Sequence, residues 1–444
     1  MLARRNSPVM RSGFPMLHSR WPIVGHLPKM LLDVEALFRD GQRDMGNVFW
    51  VYGGFGVYSL VWASSDVMTA LLNKATTSSH FEIIAEPFLG GTMIAKDGEA
   101  HRHMRGAMQG SFTPRGLTAA EVGPILAELI QARVNTWVDL KQIRVLRETR
   151  ELALNLIFRM IGIPEADLSQ WRHQYEEYVL AAINIPFEFI GTPRWRGKRA
   201  RTWLDARLQK LLEQSRANPD AKGLLADLAR AVDEDGKPLA DHELIPNLRL
   251  LALAGHETTA STMAWMALHL TQDKKLWDDL QLEAMAGDGV PKTVKELKNF
   301  PLAEALFREC LRIHPPVPQD SRRVTGDLQI EGRTVPIGTD IMIPLTLLAQ
   351  DPNVYDNPTE FRVGRWLEKK VNLTPIELSQ FGAGPHFCLG YHVAWMEAVQ
   401  FAVAFARTLN EHKLRPQLVG KWPKTRYLPL THPAPGTRIE FVSA

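Results

Sequence analysis

Cysteine is nearly absent from this chain. Only Cys310 and Cys388 occur among 444 residues, too few for the disulfide framework that holds small secreted domains together, and a reducing compartment, the cytoplasm, is expected. No run of eighteen uninterrupted apolar residues is present, so no membrane-spanning helix is predicted. Arg4 and Arg5 near the N-terminus are followed by Pro8, Arg11 and Pro15, which interrupt any signal-peptide core. Charge of one sign is not in excess either: 52 Lys and Arg against 49 Asp and Glu leave a formal +3, too little to recruit nucleic acid. Repeats and low-complexity tracts are missing, which excludes a solenoid. With 45% hydrophobic and 23% charged residues, the composition is that of an ordinary globular protein, long enough to bury one large core around a cofactor.

Against this background Cys388 stands out. It lies in Phe381-Gly382-Ala383-Gly384-Pro385-His386-Phe387-Cys388-Leu389-Gly390, just before a long apolar helix predicted from Leu389 to about Leu409. A thiol becomes a strong metal ligand only as thiolate, and free amides at a helix start stabilise that charge. The three glycines let the loop lie against a flat ligand. A buried, inert cysteine at a strand-to-helix turn is the alternative, and it is the role assigned to Cys310 within the amphipathic run Pro301 to Ile313.

Taken in order, residues 1–28 are rich in proline and arginine and are expected to be irregular. A helix is predicted over Asp33–Met45, then strands Val48–Tyr52 and Val57–Trp62 around a glycine-rich turn. His101 and Arg105 are four residues apart in Gly98-Glu99-Ala100-His101-Arg102-His103-Met104-Arg105. On a helix they share a face and could grip an anion, unless they belong to a solvated basic surface. Helical periodicity dominates from Ala119 to Ala217. A long apolar helix from Asp241, a candidate N-cap, to about Leu270 contains Ala254-Gly255-His256-Glu257-Thr258-Thr259. Ala254 and Gly255 would admit a flat ligand to the helix backbone, and an acid beside a hydroxyl can relay protons. The competing possibility is a threonine bonded to the preceding turn and an acid facing solvent. Further strands are predicted at Leu328–Ile330, Arg333–Ile337 and Ile341–Leu345.

The cysteine loop, with every fixed position of Phe-Gly-x-Gly-x-His-x-Cys-x-Gly filled, resembles the haem-binding loop of the cytochrome P450 family, the haem-thiolate monooxygenases. The Ala-Gly-x-Glu-Thr-Thr stretch is similar to the family's oxygen-activation motif. The resemblance implies a single domain over 1–444, mainly α with a small β-rich lobe near the N-terminus (α+β), with haem b between the long helix and the cysteine loop. It implies Cys388 as axial iron ligand, with Phe381, Gly390, Ala254 and Gly255 against the haem. His101, Arg105, His386 and Arg322, the last in Arg322-Arg323-Val324-Thr325-Gly326-Asp327, would hold the propionates. Glu257 and Thr258 would form the proton-relaying acid–alcohol pair. Glu309 and Arg312 would form a buried structural pair completed by Arg365, with Arg362 as its rival.

By family position the substrate would be lined by Phe81, Ile83, Ile84, Phe88, Leu89, Phe187, Phe189, Leu253 and Leu430. All are apolar, so a lipophilic substrate is expected. The segment Trp21–Pro28 is similar to the proline-rich entry segment of family members acting on sterols and isoprenoids, and Ile185–Ile190 falls where the family roofs its cavity, so the resemblance implies a steroid, terpenoid or related ring compound; a fatty acid or polyketide is the alternative. The implied reaction uses dioxygen and places one oxygen atom in a C–H bond. No flavin or iron–sulfur pattern is present, so a separate electron donor, a ferredoxin with its reductase, is expected. Tyr391 and Trp395 stand where many bacterial members have a small residue and an arginine, which predicts altered donor docking. A peroxide-dependent peroxygenase would not need Glu257 and Thr258, and a haem-thiolate sensor would need no proton relay.

Overall fold

The computed structural model describes residues 12–68, 75–79, 89–182, 188–368, 373–428 and 430–444. Nine helices organise the chain around the site: α1 (Gly98–Gln109), α2 (Val122–Leu140), α3 (Val145–Met160), α4 (Leu168–Ala182), α5 (Pro193–Ala217), α6 (Asp241–His269), α7 (Lys274–Ala286), α8 (Pro301–Ile313) and α9 (Tyr391–Glu411). The centre is formed by α6 and α9. In α6 every residue from Met263 to Leu268 is fully buried, as is every residue from Phe401 to Ala406 in α9. A helix that is apolar all round can be stable only inside a core. Accordingly α6 packs along α3 and α9 along α2.

Close approach of α2 to the segment between α7 and α8 depends on one glycine. A Cβ at Gly123 would lie 1.8 Å from the Lys292 carbonyl oxygen, inside any tolerable contact. The Gln400 side chain of α9 donates to the carbonyls of Gly123 and Pro291, at 2.9 and 2.8 Å.

The β-rich part is a five-stranded sheet of β1 (Val48–Gly54), β2 (Val57–Trp62), β3 (Thr76–Thr77), β4 (Asp320–Val324) and β5 (Asp340–Ile343), in the order β1-β2-β5-β4-β3. The β1–β2 hairpin is antiparallel with Val48 opposite Trp62, β2 and β5 are parallel, and β4 is antiparallel to both β5 and β3. The hairpin turn puts Phe55 and Gly56 at φ 51° and 84°. Both central residues of the turn are therefore left-handed, which matches the twist of the strands although one residue is not glycine. The sheet is not confined to the N-terminal part, because β4 and β5 come from residues 320–343. Pairing of β3 with β4 sets Thr77 opposite Arg323 and brings Ser78 towards the cysteine loop.

Two predicted boundaries are corrected. Ala240, not Asp241, is the N-cap of α6; the Asp241 carboxylate instead accepts from Arg216 at 2.5 Å and Gln209 at 2.8 Å. Helix α9 begins at Tyr391, with Gly390 as N-cap, so Cys388 precedes it by a short turn in which Tyr391 N–H donates to the Cys388 carbonyl at 3.4 Å. Cys310 is buried in the core of α8, as expected.

At the end of α8, Glu309 and Arg312 are 0% and 1% exposed and form a bidentate pair, with Arg312 Nε and Nη2 donating at 2.9 and 2.7 Å. Arg365 Nε and Trp366 Nε1 also donate to the Glu309 carboxylate, at 3.1 and 2.8 Å. Arg362 reaches Glu309 only through its backbone N–H, at 2.7 Å, and turns its side chain to Glu368. Arg312 further donates to the carbonyls of Ala349 and Glu360, so one guanidinium closes three segments. Two charges can be buried at this depth only because nearly every donor and acceptor has a partner.

Candidate active site

Between α6 and the loop before α9 lies a cavity enclosing about 980 Å³ of space, its mouth included. One wall is Leu250, Leu251, Ala254, Gly255, Thr258 and Thr259 of α6; the opposite wall is Phe387, Cys388, Leu389, Gly390, Val393 and Ala394. Helical spacing explains the first wall, since residues three and four apart share a face. Leu253 falls off that face and is not in the lining. Gly255 also serves packing: a Cβ there would come within 3.3 Å of Ile157 on α3.

The cysteine loop is fixed by its own backbone. Gly382 and Gly384 take φ of 77° and 59°, a conformation that disfavours side chains, and Cys388 N–H donates to the Phe381 carbonyl at 2.7 Å. Phe381 itself does not line the cavity; its ring packs on Phe307, Phe387 and Tyr391. Burial pushes the Cys388 thiol up, opposed by the Gly390 amide and the Arg105 guanidinium. Such a thiol needs a cation to become thiolate.

At one end of the cavity stand His101, Arg105 and His386. The His101 and His386 rings are 4.4 Å apart, and Arg105 Nη1 donates to the Phe387 carbonyl at 2.7 Å. Burial, then the neighbouring His386 and Arg105, push His101 down to about 4, and burial lowers Arg105 as well. The two positively charged forms are thus short of a counter-charge. His386 Nε2 bonds to Asp97 Oδ1 at 2.8 Å and lies 3.1 Å from Ser78 Oγ. Asp97 occupies the N-cap position of α1 but does not cap it. Burial works against its charge, yet hydrogen bonds from His386, Thr77 and Ser78 hold it well below the usual carboxylate range. Arg322 is buried away from this cluster, donating to Asp320 Oδ1 at 3.1 Å and to the Ser321 carbonyl at 2.9 Å.

On the α6 side, Thr258 Oγ1 donates back to the Ala254 carbonyl, the local bond that competes with a relay role. Glu257 is buried rather than solvent-facing, and its Oε2 accepts from Arg150 Nη2 and Nε at 2.8 and 3.1 Å. Thr259 Oγ1 donates to Glu397 on α9 at 3.0 Å, and burial pushes Glu397 up to about 8. Arg150, Asp97 and Glu397 were not singled out from sequence. Asp97 alone had a signal, an acid directly before Gly98 at a helix start. Of the expected lining residues, Leu89 is half-buried against the core, Phe189 is exposed, and Leu430 is half-buried outside this cavity. Phe81, Ile83, Ile84, Phe88 and Phe187 lie outside the described residues.

The residues present fit haem b. Among the described residues no cluster of three His, Cys, Asp or Glu could chelate a bare metal ion, so a lone cysteine suits a metal already held by a macrocycle. The buried His101 and the half-buried Arg105 suit carboxylate groups at one edge. A flat apolar cavity with one thiol and a cationic end defines a haem-thiolate site.

Comparison with known proteins agrees. The cytochrome P450 family model matches residues 15–441. The chain is 40% identical over 433 residues to cytochrome P450 BJ-4 of Bradyrhizobium diazoefficiens, covering 97% of each. It is 28% identical over 356 residues to cyclooctat-9-en-7-ol 5-monooxygenase of Streptomyces melanosporofaciens, covering 75% of this chain and 74% of that one. A cyanobacterial cytochrome P450 solved with retinoic acid has the same fold, with a TM-score of 0.85 at 23% identity over 98% of this chain and all of that one. The chain belongs to the cytochrome P450 family: it is a haem-b-dependent monooxygenase that uses dioxygen and electrons from a separate donor. Among the described residues no helix is long and apolar enough to cross a membrane.

Proposed function

We propose that this enzyme hydroxylates a lipophilic ring compound of steroid or terpenoid type. The observation that carries the reading is the cavity wall of Leu250, Leu251, Ile157, Met160 and Phe112 above the cysteine loop, which offers apolar area and few polar anchors. Its basic side chains, His101, Arg105 and His386, all cluster at the end suited to the propionates. A free cation for a fatty carboxylate is missing among the described lining residues, which favours a neutral ring compound over a fatty acid. The Streptomyces relative is named as a 5-monooxygenase of cyclooctat-9-en-7-ol, a cyclic alcohol, in keeping with a ring substrate.

When bound, haem b supplies the dioxygen-activating chemistry, with Cys388 as thiolate ligand. The protein's part is to bind, orient and time protons. His101, Arg105 and His386 hold the propionates, with Asp97 orienting the His386 ring. Arg322, its guanidinium turned to Asp320, would have to swing over to join them. Ala254 and Gly255 leave room for the flat face of the cofactor. Thr258 holds a proton-donating hydroxyl at the cavity wall, and Glu257, released from Arg150, recharges it. Glu309, Arg312 and Arg365 hold the meander that supports the loop of Cys388. Electrons come from a ferredoxin and its reductase in the cytoplasm.

Reduction under carbon monoxide tests the core of this reading: the red-shifted Soret band of thiolate ligation is expected, and its loss in Cys388→Ala. An unshifted band in the wild-type protein would refute it. A lipophilic library screened for the spectral change that follows loss of iron-bound water should give hits among steroids and terpenoids; hits confined to fatty acids would overturn the substrate class.

A further inference from the structure

His256 sits in the oxygen-activation motif next to Glu257, but faces away from the cavity into the seam between α3, α4 and α6. Its Nε2 is 3.1 Å from the Arg150 carbonyl oxygen. A carbonyl can only accept, so Nε2 carries the hydrogen and the neutral ring presents a lone pair at Nδ1. That Nδ1 lies 3.5 Å from Glu257 Oε1 and is buried without a hydrogen-bond partner among the described residues. Two acceptors therefore face each other, an arrangement that becomes favourable when one proton lies between them.

The groups facing this pair are few. Arg150 comes from α3, and its guanidinium holds the other oxygen of Glu257, at 2.8 Å. From α4 come Tyr175, its ring 5.7 Å from the His256 ring, and Arg172, whose charge acts on His256. Tyr175 Oη and Arg172 Nε are also buried without hydrogen-bond partners among the described residues. Buried polar atoms so placed are met by water.

Resting on the role proposed above for Glu257, we propose that His256 Nδ1 and Glu257 Oε1 bind a single proton between them, taken from water at Tyr175 and Arg172, and that this is the proton Glu257 passes towards Thr258. The balance is simple. One proton enters from water, which solvent restores; Glu257 becomes neutral, gives the proton up, and returns as carboxylate, with no change of electrons. Neutralising Glu257 weakens its charge-assisted bond to Arg150, which frees the carboxyl to turn towards the cavity. Burial pushes His256 down to about 4, so the ring passes the proton on rather than keeping it.

The test uses the holoenzyme with a surrogate ferredoxin and reductase and a ligand from the spectral screen. His256→Gln keeps an N–H for the Arg150 carbonyl but offers no base. Its dioxygen-driven rate is expected to fall about tenfold or more, and to lack the decline with rising pH that the shared proton predicts for the wild-type protein. Turnover driven by hydrogen peroxide, which brings its own protons, should change less than twofold. Independently, histidine labelled with nitrogen-15 in the diamagnetic, reduced carbon-monoxide complex should show His256 as the Nε2–H tautomer, with a shift that moves in Glu257→Gln. An Nδ1–H tautomer, or an unchanged rate and pH profile in His256→Gln, would overturn the proposal. If Glu257→Gln also leaves the dioxygen-driven rate unchanged, the role of Glu257 falls with it. If Glu257→Gln is slow and His256→Gln is not, only the shared proton is refuted. Should His256→Gln fail to fold, the wild-type tautomer decides.

Discussion

In the proposed relay Thr258 would serve two partners with one hydroxyl. Its bond to the Ala254 carbonyl anchors the side chain at the cavity wall, and the oxygen keeps lone pairs that could take part in a transfer from Glu257. Thr258→Ala is expected to leave haem binding intact while product per electron pair falls about tenfold and peroxide release rises; product and peroxide measured against reductant consumed would decide it. Glu397 carries a different signature. Its pKa rises from 4.5 to about 8 in the folded protein, so the folded state holds the proton more tightly than the unfolded one. The resulting stabilisation is complete below about pH 4.5 and is lost as pH rises through about 8. Urea midpoints should therefore fall over this window in the wild type, by on the order of a few kcal/mol in stability, and much less in Glu397→Gln. Equal slopes would refute the assignment. Cys388, Glu257 and Thr258 were legible because their motifs are local, whereas Arg150 and Glu397 stand 107 and 138 residues from the groups they touch.

Helix α8 shows how one element closes the fold. Its final turn carries Glu309 and Arg312, and the segment around Arg365 and Trp366 is tied to them by side chains. Removing one partner of a buried pair leaves the other charge stranded, at about 3–5 kcal/mol. Glu309→Ala should thus lower the urea midpoint sharply and reduce haem content. Arg365→Ala should destabilise clearly more than Arg362→Ala, since Arg362 contributes a backbone N–H that alanine keeps; a larger effect at Arg362 would contradict this geometry. The sequence offered both arginines, and only the turn Gly364–Leu367 decides which side chain points inward.

For the whole molecule, the proposed docking surface for the electron donor is the one behind Cys388. Tyr391 and Trp395 occupy the first turns of α9. Arg308 Nη2 donates to Tyr391 Oη at 3.2 Å while pairing with Glu304 at 2.6 Å, which draws a cation inward, and Tyr391 and Trp395 are half-buried beside it. Trp395→Arg is expected to lower the ferredoxin Michaelis constant several-fold at low salt, an effect that fades as ionic strength rises. An unchanged constant would rule out a docking role for this turn.

By itself the sequence determined the haem-thiolate chemistry, the predominance of helix and the position of the long central helix. The first follows from the resemblance of the cysteine loop and the acid–hydroxyl stretch to the family's motifs, the other two from apolar residues three and four apart. Tertiary structure decided which face of α6 meets the cavity, so that Leu250 and Leu251 line it and Leu253 does not. It also decided that β4 and β5 complete the N-terminal sheet, that Asp97 reaches His386, and that Arg150 holds Glu257. Those are contacts between segments far apart in the chain, set by packing and by the need to pair buried charge, and no local pattern encodes them.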